Sequence, residues 1–315
     1  MIAAIALAAA LTITPTARAM QPGEVVRLDI VGPAPITAVT AKAFNTTITG
    51  YQADAADPRH WRVLVGIDLD ATIGKHPVTV TAATADGKVD GSYTLTVVAK
   101  KFPTRRLTVD PNFVNPPADA MPRITAEQIE QQAIWDALAP ERLWTGAFIK
   151  PVPQPANSAF GTRSIFNNQP RGSHSGADFL SPAGQPIKAP AGGRVVLAKD
   201  TYFSGGTVII DHGLGLFSLY GHLSAIDVKV GDALAKRQVL GKTGETGLAA
   251  GDHLHFGIYL DGLAVLPVEW WDQKWIDDNF TPKLTGRSGQ EIAEAQQVKK
   301  KPKQVKTTKP AKHVK

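Results

Sequence analysis

Four histidines and one aspartate in the second half of the chain have side chains that can hold a metal ion and activate water. In chain order they are His174, Asp178, His222, His253 and His255. Two imidazoles and one carboxylate make a three-ligand set, the composition of catalytic zinc sites, because it leaves one coordination position for water or substrate. Cysteine is absent from the 315 residues, so a closed thiolate site is excluded.

A strand is expected to carry the last two histidines. His253 and His255 are followed by an extended apolar run, Phe256 to Tyr259. The period of two in a strand puts both imidazoles on one face and Leu254 on the other. One strand therefore delivers two imidazoles to a common point.

A loop that enters a strand is expected to carry the first cluster. Ser175 and Gly176 lie between His174 and Asp178, and both residue types disfavour a helix there. Glycine also gives the backbone the freedom to fold around a bound ion. The pair is therefore expected to converge through a turn and not through one helix face.

The order of three motifs resembles that of lysostaphin-type, or LytM-type, zinc metallo-endopeptidases, which cut peptidoglycan peptides. The motifs are His-x-Gly-x-Asp, Tyr-x-His-Leu and His-Leu-His, and the resemblance runs from about Ala159 to Pro267. It implies an antiparallel β-sheet peptidase domain and hydrolysis of peptide cross-links by attack of a zinc-activated water. The implied substrate is the peptide stem of peptidoglycan, with the D-alanyl-diaminopimelate cross-link favoured over glycine bridges.

The resemblance also implies a role for each site residue. It implies that Zn²⁺ is held by His174, Asp178 and His255, and that His222 and His253 are catalytic histidines outside the metal shell. Imidazole suits proton transfer because its pKa lies near neutrality. We expect His253 to deprotonate the water and His222 to stabilise the oxyanion, although the two roles could be exchanged.

Further polar and aromatic residues are candidates to line the cleft. The candidate substrate contacts are Asn167, Asn168, Tyr202, Phe203 and Tyr220. The competing interpretation is that loop asparagines form turns and strand aromatics belong to the core. His212, at a strand-to-turn junction, is expected to have a structural role near the site.

The length predicts about two domains in a mainly β protein. The expected segments are a signal peptide (1–19), an immunoglobulin-like β-sandwich (20–101), a linker with one helix (102–158), a LytM-type peptidase domain (159–283) and a disordered basic tail (284–315). Short β-branched runs separated by Gly, Pro and Asp clusters predict the sandwich, with a tight hairpin at Asp86-Gly87.

The linker helix is predicted from its end signals. Thr125 is the expected N-cap, with Gln128 completing a capping box and Ile124 and Ile129 forming a hydrophobic staple. The helix is expected to end before Pro140.

The N-terminal 19 residues predict export. They are apolar and end in an Ala-x-Ala pattern before Met20, which is typical of a signal peptide, although the segment lacks Lys or Arg ahead of its apolar run. No later segment is apolar enough to cross a membrane. We expect a periplasmic or secreted protein.

The last seventeen residues form a strongly basic segment, 299–315, here called the Lys tail. It contains eight of the lysines and no acid, so removing it from the formal net charge of +6 leaves −2 for the rest. Self-repulsion and low apolar content predict disorder. Its expected partner, if it has one, is an anionic envelope polymer or lipid, and no nucleic-acid partner is expected.

Two alternatives to the hydrolase compete with this interpretation. One is a LytM-type domain that has lost hydrolysis and activates a cell-wall amidase by contact. Such relatives usually lack metal ligands or catalytic histidines, whereas this sequence has all five residues. The other is a lipoyl- or biotinyl-carrier-like module, suggested by glycine turns near Val228 and Val239, but it explains none of the ordered histidines.

Overall fold

The N-terminal module is a sandwich of two antiparallel sheets. We describe a computed structural model at residues 10–109, 111, 114–137, 139–156 and 160–280. The strands of the sandwich are β1 (Thr12–Ala17), β2 (Val25–Val31), β3 (Ile36–Ala43), β4 (Thr46–Thr49), β5 (Tyr51–Gln52), β6 (His60–Gly66), β7 (Gly74–Thr84) and β8 (Gly87–Val97). Their order is β1-β2-β6-β5 in one sheet and β4-β3-β7-β8 in the other. The predicted hairpin at Asp86-Gly87 joins β7 to β8.

Alternating apolar residues of both sheets fill the sandwich interior. Leu28, Ile30 and Val63 of the first sheet and Val80 and Leu95 of the second are at most 1% exposed. This alternation of buried and exposed positions is what two facing sheets require. The mainly β fold is therefore confirmed for this module.

Strand β1 falls inside the predicted signal peptide. Thr12 to Ala17 pair along their full length with β2, and Thr16 accepts a hydrogen bond of 3.2 Å from Arg27. The structure thus differs from the expected boundary at residue 20, because the first sheet already includes residues 12–17. Removal of residues 1–19 remains a prediction, and it would take β1 away from the sandwich.

The linker supplies one strand and one helix to the second half of the chain. They are β9 (Thr104–Leu107), a 3₁₀ turn (Ala118–Ala120) and helix α1 (Met121–Asp136). The helix ends before Pro140 as predicted, but the predicted capping box is wrong. Thr125 lies inside the helix, which begins after the 3₁₀ turn with a proline in its first turn, where a missing N–H costs nothing. Ile129 is 66% exposed and forms no staple.

The peptidase-like domain is built around one antiparallel sheet. Its elements are β10 (Arg163–Phe166), β11 (Gln169–Ser173), β12 (Ala177–Phe179), β13 (Pro186–Lys188), β14 (Gly193–Thr201), β15 (Gly205–Asp211), β16 (Leu216–Ile226), β17 (Ala233–Leu234), β18 (Val239–Thr243), β19 (Leu254–Leu260), β20 (Leu263–Val265), α2 (Pro267–Trp270) and α3 (Gln273–Asn279). The main path is β12-β19-β16-β15-β14-β17. A smaller sheet, β11-β10-β9, joins the linker strand to the domain in parallel with β10.

The two β modules share a packed boundary. Val25 and Leu64 of the sandwich belong to the same buried cluster as Val265 and Trp270 of the peptidase-like domain. The Leu266 N–H also donates a hydrogen bond of 2.7 Å across this boundary, to the carbonyl of Gly23 in the sandwich. Among the described residues, no helix is both long and apolar enough to span a bilayer. The predicted Lys tail lies outside the described residues.

Candidate active site

Strand pairing brings Asp178 and His255 face to face. In the antiparallel pair of β12 and β19 they are direct partners, and on its other side His255 is paired with Gly221 of β16. Leu254 and Phe256 are fully buried on the opposite face, as the alternation in the sequence predicts. The sheet register therefore fixes one carboxylate and one imidazole side by side.

His174 completes the cluster from a loop. It follows β11, and its backbone N–H donates to the carbonyl of Thr162 at 3.0 Å. Its Nε2 lies 3.1 Å from Asp178 Oδ1 and 3.0 Å from His255 Nδ1. The same carboxylate oxygen lies 3.1 Å from His255 Nδ1. Three ligand atoms from three segments thus converge on one point.

A glycine makes this approach feasible. A Cβ at Gly176 would lie 2.5 Å from the carbonyl oxygen of Phe256 and 2.7 Å from Cε1 of His255. The loop therefore passes too close to β19 to carry a side chain. The sequence analysis explained Gly176 by the freedom of its backbone, whereas the structure shows that there is no space for a side chain at this position.

The donor set fits a zinc ion. Two imidazole nitrogens and one carboxylate oxygen are ligands that zinc accepts, and at the usual bond lengths of about 2.0–2.2 Å a tetrahedral ion separates its ligand atoms by roughly 3.3 Å. The three observed separations of 3.0–3.1 Å are close to that value. His174, Asp178 and His255 can therefore hold the ion with little rearrangement.

The electrostatics favour the protonation states that a metal needs. Burial alone would raise the pKa of the Asp178 carboxyl, but hydrogen bonds from His174 and His255 outweigh it and hold that pKa well below its usual range. Burial lowers the pKa of His255, although Asp178 opposes the shift. An ionised carboxylate beside a neutral imidazole is the state in which both bind a metal.

His222 stands at the edge of the cluster in an unusual backbone conformation. Its φ is 66°, and its N–H donates to the carbonyl of Ser204 at 2.6 Å. Its Nδ1 lies 2.8 Å from the carbonyl oxygen of Thr246. Because a carbonyl only accepts, Nδ1 carries the proton and Nε2 carries a lone pair in the neutral ring. Burial lowers the pKa of His222 to about 4, against the effect of that hydrogen bond.

His253 is oriented in the same way. Its Nδ1 lies 2.8 Å from the carbonyl oxygen of Gly251, which again leaves Nε2 with the lone pair. The ring centroids of His222 and His253 are 4.5 Å apart, and that of His222 is 6.3 Å from that of His255. All five residues singled out in the sequence therefore occupy one site.

The site opens into a cleft of about 590 Å³. Its lining includes all five residues together with Phe203 and Ser204 of the β14–β15 turn, Leu248 to Asp252, and Arg105, Leu107 and Val109 of the linker. The cleft is therefore shared between the peptidase-like domain and the linker strand. The sequence interpretation did not include this contribution.

The proposed asparagine contacts are turn residues. Asn167 and Asn168 have φ values of 49° and 64° and form the two-residue turn between β10 and β11, a conformation that asparagine tolerates well. The Asn167 amide accepts from the N–H of Val109 and donates to its carbonyl, both at 2.9 Å. Neither asparagine lines the cleft. Asn167 holds the linker against β10, and Asn168 is the second residue of the turn, so the turn-forming alternative describes both asparagines better.

Of the aromatic candidates, one lines the cleft and the others lie behind it or in the buried core. Phe203 lines the cleft, whereas Tyr202 lies outside the lining and packs edge-on against the Phe203 ring, with centroids 5.1 Å apart. Tyr220 is fully buried and its hydroxyl shares a 2.9 Å hydrogen bond with Ser218. Ser218 in turn lies 2.8 Å from buried His212. A substrate in the cleft does not reach Tyr220, and His212 has a structural environment as expected.

The hydrogen-bond acceptors that hold His222 and His253 in place could not be predicted from the sequence. The carbonyls of Thr246, Gly251 and Ser204 are backbone groups, so no side-chain pattern marks them. Thr246 has one indirect signal, its position before Gly247. A Cβ on that glycine would lie 2.2 Å from Gly205 N, so the turn packs tightly against the β14–β15 hairpin.

Comparisons with known proteins agree with this geometry. The model of peptidase family M23 matches residues 172–267. The chain is 37% identical over 92 residues to peptidoglycan DD-endopeptidase ShyA of Vibrio cholerae, covering 29% of this chain and 21% of that protein. It is 36% identical over 95 residues to the DD-carboxypeptidase/endopeptidase Mpg of Neisseria meningitidis (30% and 22% covered). It is 38% identical over 87 residues to the glycyl-glycine endopeptidase ALE-1 of Staphylococcus capitis (27% and 24% covered).

These matches span only between a fifth and a quarter of the curated relatives. A solved structure extends the likeness to most of the chain. It is a putative peptidase M23 from Pseudomonas aeruginosa, 30% identical, with 81% of this chain and 95% of that chain covered and a TM-score of 0.61. The match takes in more of the chain than the peptidase-like domain alone. The chain therefore belongs to peptidase family M23.

Proposed function

We propose that the protein is a zinc metallo-endopeptidase that hydrolyses peptide cross-links of peptidoglycan, with the D-alanyl-diaminopimelate bond as its target. The observation that carries the proposal is the meeting of two imidazoles and one carboxylate at one point of an open cleft, with two more histidines beside it. The names of two relatives, a peptidoglycan DD-endopeptidase and a DD-carboxypeptidase/endopeptidase, support this substrate. Such a substrate implies a periplasmic or secreted protein.

The residues divide the chemistry between them. His174, Asp178 and His255 would hold the zinc ion. Zinc bound there would supply Lewis-acid chemistry, polarising the scissile carbonyl and lowering the pKa of a water molecule to about 7. His222 and His253 present Nε2 lone pairs and can accept a proton from the attacking water. After protonation, the same nitrogen becomes a donor to the developing oxyanion or to the leaving amine.

We assign proton acceptance to His253 and oxyanion stabilisation to His222. This assignment requires Nε2 of His222 to be protonated when the negative charge develops, a state that burial opposes by lowering the pKa of His222 to about 4. The exchanged assignment requires protonation of His253 instead. The pH dependence of kcat in His222→Ala and His253→Ala distinguishes them. The variant that lacks the base should lose the acidic limb of the profile.

The test of the function uses intact sacculi and the full chain. Incubation should convert cross-linked muropeptides into monomers with glycan strands uncut, as read by mass spectrometry, and a chelator should stop the conversion. A His253→Ala variant should convert the cross-links about 10²- to 10⁴-fold more slowly, and His76→Ala, a histidine of the sandwich, should match the parent. Unchanged cross-links from the zinc-loaded parent, with fragments released only after an amidase is added, would replace this proposal with the contact activator.

A further inference from the structure

The central sheet has a β-bulge at His222. Gly206 of β15 is paired with Leu223 of β16, but the register shifts before the next pair, so that two residues of β16 lie opposite one residue of β15. His222 is the second of those two residues, and its φ of 66° departs from the negative values of an extended strand. A bulge breaks the regular ladder and redirects a side chain. Here the redirected side chain is an imidazole that lines the cleft.

The side-chain hydroxyl of Thr246 bridges this bulge. It accepts a hydrogen bond of 2.9 Å from the Gly206 N–H and donates one of 2.8 Å to the Leu223 carbonyl. These two residues are register partners at the edge of the bulge, and both are buried. Removing the hydroxyl would take a hydrogen-bond partner from two buried backbone groups, which is costly. The hydroxyl therefore stabilises the irregular backbone on which His222 lies.

The backbone of Thr246 also holds the His222 ring, because its carbonyl accepts the 2.8 Å hydrogen bond from Nδ1. The segment that carries this carbonyl is tied to the β14–β15 turn, since the Leu248 N–H donates to the Phe203 carbonyl at 2.9 Å. The packing between them is tight, and a Cβ at Gly205 would lie 2.3 Å from Thr246 Oγ1. Any shift of Thr246 therefore moves the acceptor that orients the imidazole.

We propose that Thr246 is the positioning residue of His222: its hydroxyl fixes the bulge, and its carbonyl fixes the tautomer of the imidazole with the proton on Nδ1. The inference rests on the peptidase function proposed above and adds a residue to the five of the candidate site. Thr246 does not line the cleft, so it acts through His222. Both roles considered for His222 use Nε2, and both therefore require Nδ1 to keep its hydrogen bond to the carbonyl.

The kinetic test removes the hydroxyl and keeps the shape of the side chain. In Thr246→Val, kcat for a soluble cross-linked stem peptide should fall about 10- to 100-fold with KM little changed, because a small misplacement of a catalytic group costs up to about 10²-fold. Thr246→Ser retains the hydroxyl and should keep most of the activity. Thr243→Val is the matched control, because the Thr243 hydroxyl also bridges two backbone groups, the Gln185 N–H and the Pro182 carbonyl, but neither of these holds His222.

A spectroscopic measurement detects the position of the proton without cleavage. The ¹⁵N signals of histidine rings distinguish protonated from unprotonated nitrogens, and the signals absent from His222→Ala identify those of His222. In the zinc-loaded full chain, His222 should show a protonated Nδ1 and an unprotonated Nε2. Thr246→Val should show a mixture of the two tautomers, and so should Thr246→Ala, a milder change that places no new methyl group beside the bulge. Thr246→Ser and Thr243→Val should show the parental pattern.

The outcomes separate this inference from the proposed function. Either a parental kcat or a parental His222 tautomer in Thr246→Ala would overturn the inference. Loss of zinc from Thr246→Ala, measured by elemental analysis, would also overturn it, because the effect would then lie at the candidate metal ligands. A changed His222 tautomer in this variant, with no peptide cleaved by the zinc-loaded parent, would overturn the peptidase function and leave the positioning of His222 by Thr246 standing.

Discussion

A buried carboxyl between the sandwich and the peptidase-like domain gives the protein a pH-dependent stability. Glu269 of α2 is 0% exposed; its Oε1 accepts a 2.9 Å hydrogen bond from Trp275 Nε1, and its Oε2 has no hydrogen-bond partner among the described residues. Glu24 of the sandwich lies nearby, 6% exposed, with its Oε1 3.0 Å from Lys100 Nζ. Burial, reinforced by the charge of Glu24, raises the pKa of Glu269 to about 8.

The raised pKa of Glu269 determines how the free energy of unfolding changes with pH. In the unfolded chain the Glu269 carboxyl has its ordinary pKa of 4.5. Between pH 4.5 and 8 the unfolded state loses this proton while the folded state keeps it, so the free energy of unfolding falls as pH rises. The slope is about 1.4 kcal/mol per pH unit and flattens near pH 8, where the folded state also begins to lose the proton, so the fall between pH 6 and 8 is roughly 2 kcal/mol. For a chain of this size, that is a fall in Tm of roughly 4 °C.

Glu269→Gln removes the titrating group and keeps an acceptor for Trp275. We expect the variant to match the parent near pH 5 and to exceed its Tm progressively towards pH 8, because the amide cannot ionise. Glu130→Gln, an exposed position on α1, is the control for the loss of a carboxylate. Thermal unfolding followed by circular dichroism at half-unit pH steps measures the difference. Parallel Tm curves for parent and Glu269→Gln from pH 5 to 8 would refute the reasoning.

Three further predictions concern the site and the tail. Gly176→Ala should retain less zinc, as measured by elemental analysis, and should lose activity, because the new Cβ would lie 2.7 Å from the imidazole of His255. Gly172→Ala is the control and should behave as the parent, because a Cβ there has nothing within 4 Å. His222→Ala and His253→Ala should keep most of their zinc and lose about 10²- to 10⁴-fold in turnover of a soluble peptide; parental turnover in either would remove its catalytic role. Deleting the Lys tail should leave peptide cleavage unchanged and weaken cosedimentation with anionic vesicles at low salt, and equal binding would leave the tail without a partner.

The features that could be predicted are those that local pattern determines. Alternation around His255 fixed the strand and its buried face, and Ser175 and Gly176 correctly predicted a loop ahead of Asp178. These are short-range consequences of strand periodicity and glycine flexibility. The resemblance in motif order added which histidines belong together, a long-range fact that spacing alone does not contain.

The features that could not be predicted depend on contacts distant in sequence. Strand β9 lies in a proline-containing linker and has no apolar alternation, because all four of its residues are exposed. It forms by pairing in parallel with β10, which begins almost sixty residues later. The capping-box prediction for α1 failed for a similar reason, since Thr125 matched the local pattern while the preceding 3₁₀ turn had already started the helix.

The linker strand β9 contributes to the cleft, so the predicted boundary between linker and peptidase-like domain divides one site. A boundary at residue 159, drawn from motif positions, separates the candidate metal ligands from Arg105, Leu107 and Val109, although these three residues line the same cleft. Asn167 fastens Val109 to the β10–β11 turn through both atoms of its amide. The candidate site residues Asp178, His222 and His255 therefore lie on strands of the central sheet, while part of the cleft wall comes from a linker strand that follows the sandwich in sequence. We therefore expect changes in the linker to alter one wall of the cleft without moving a candidate metal ligand, so that substrate choice changes separately from the proposed cleavage chemistry.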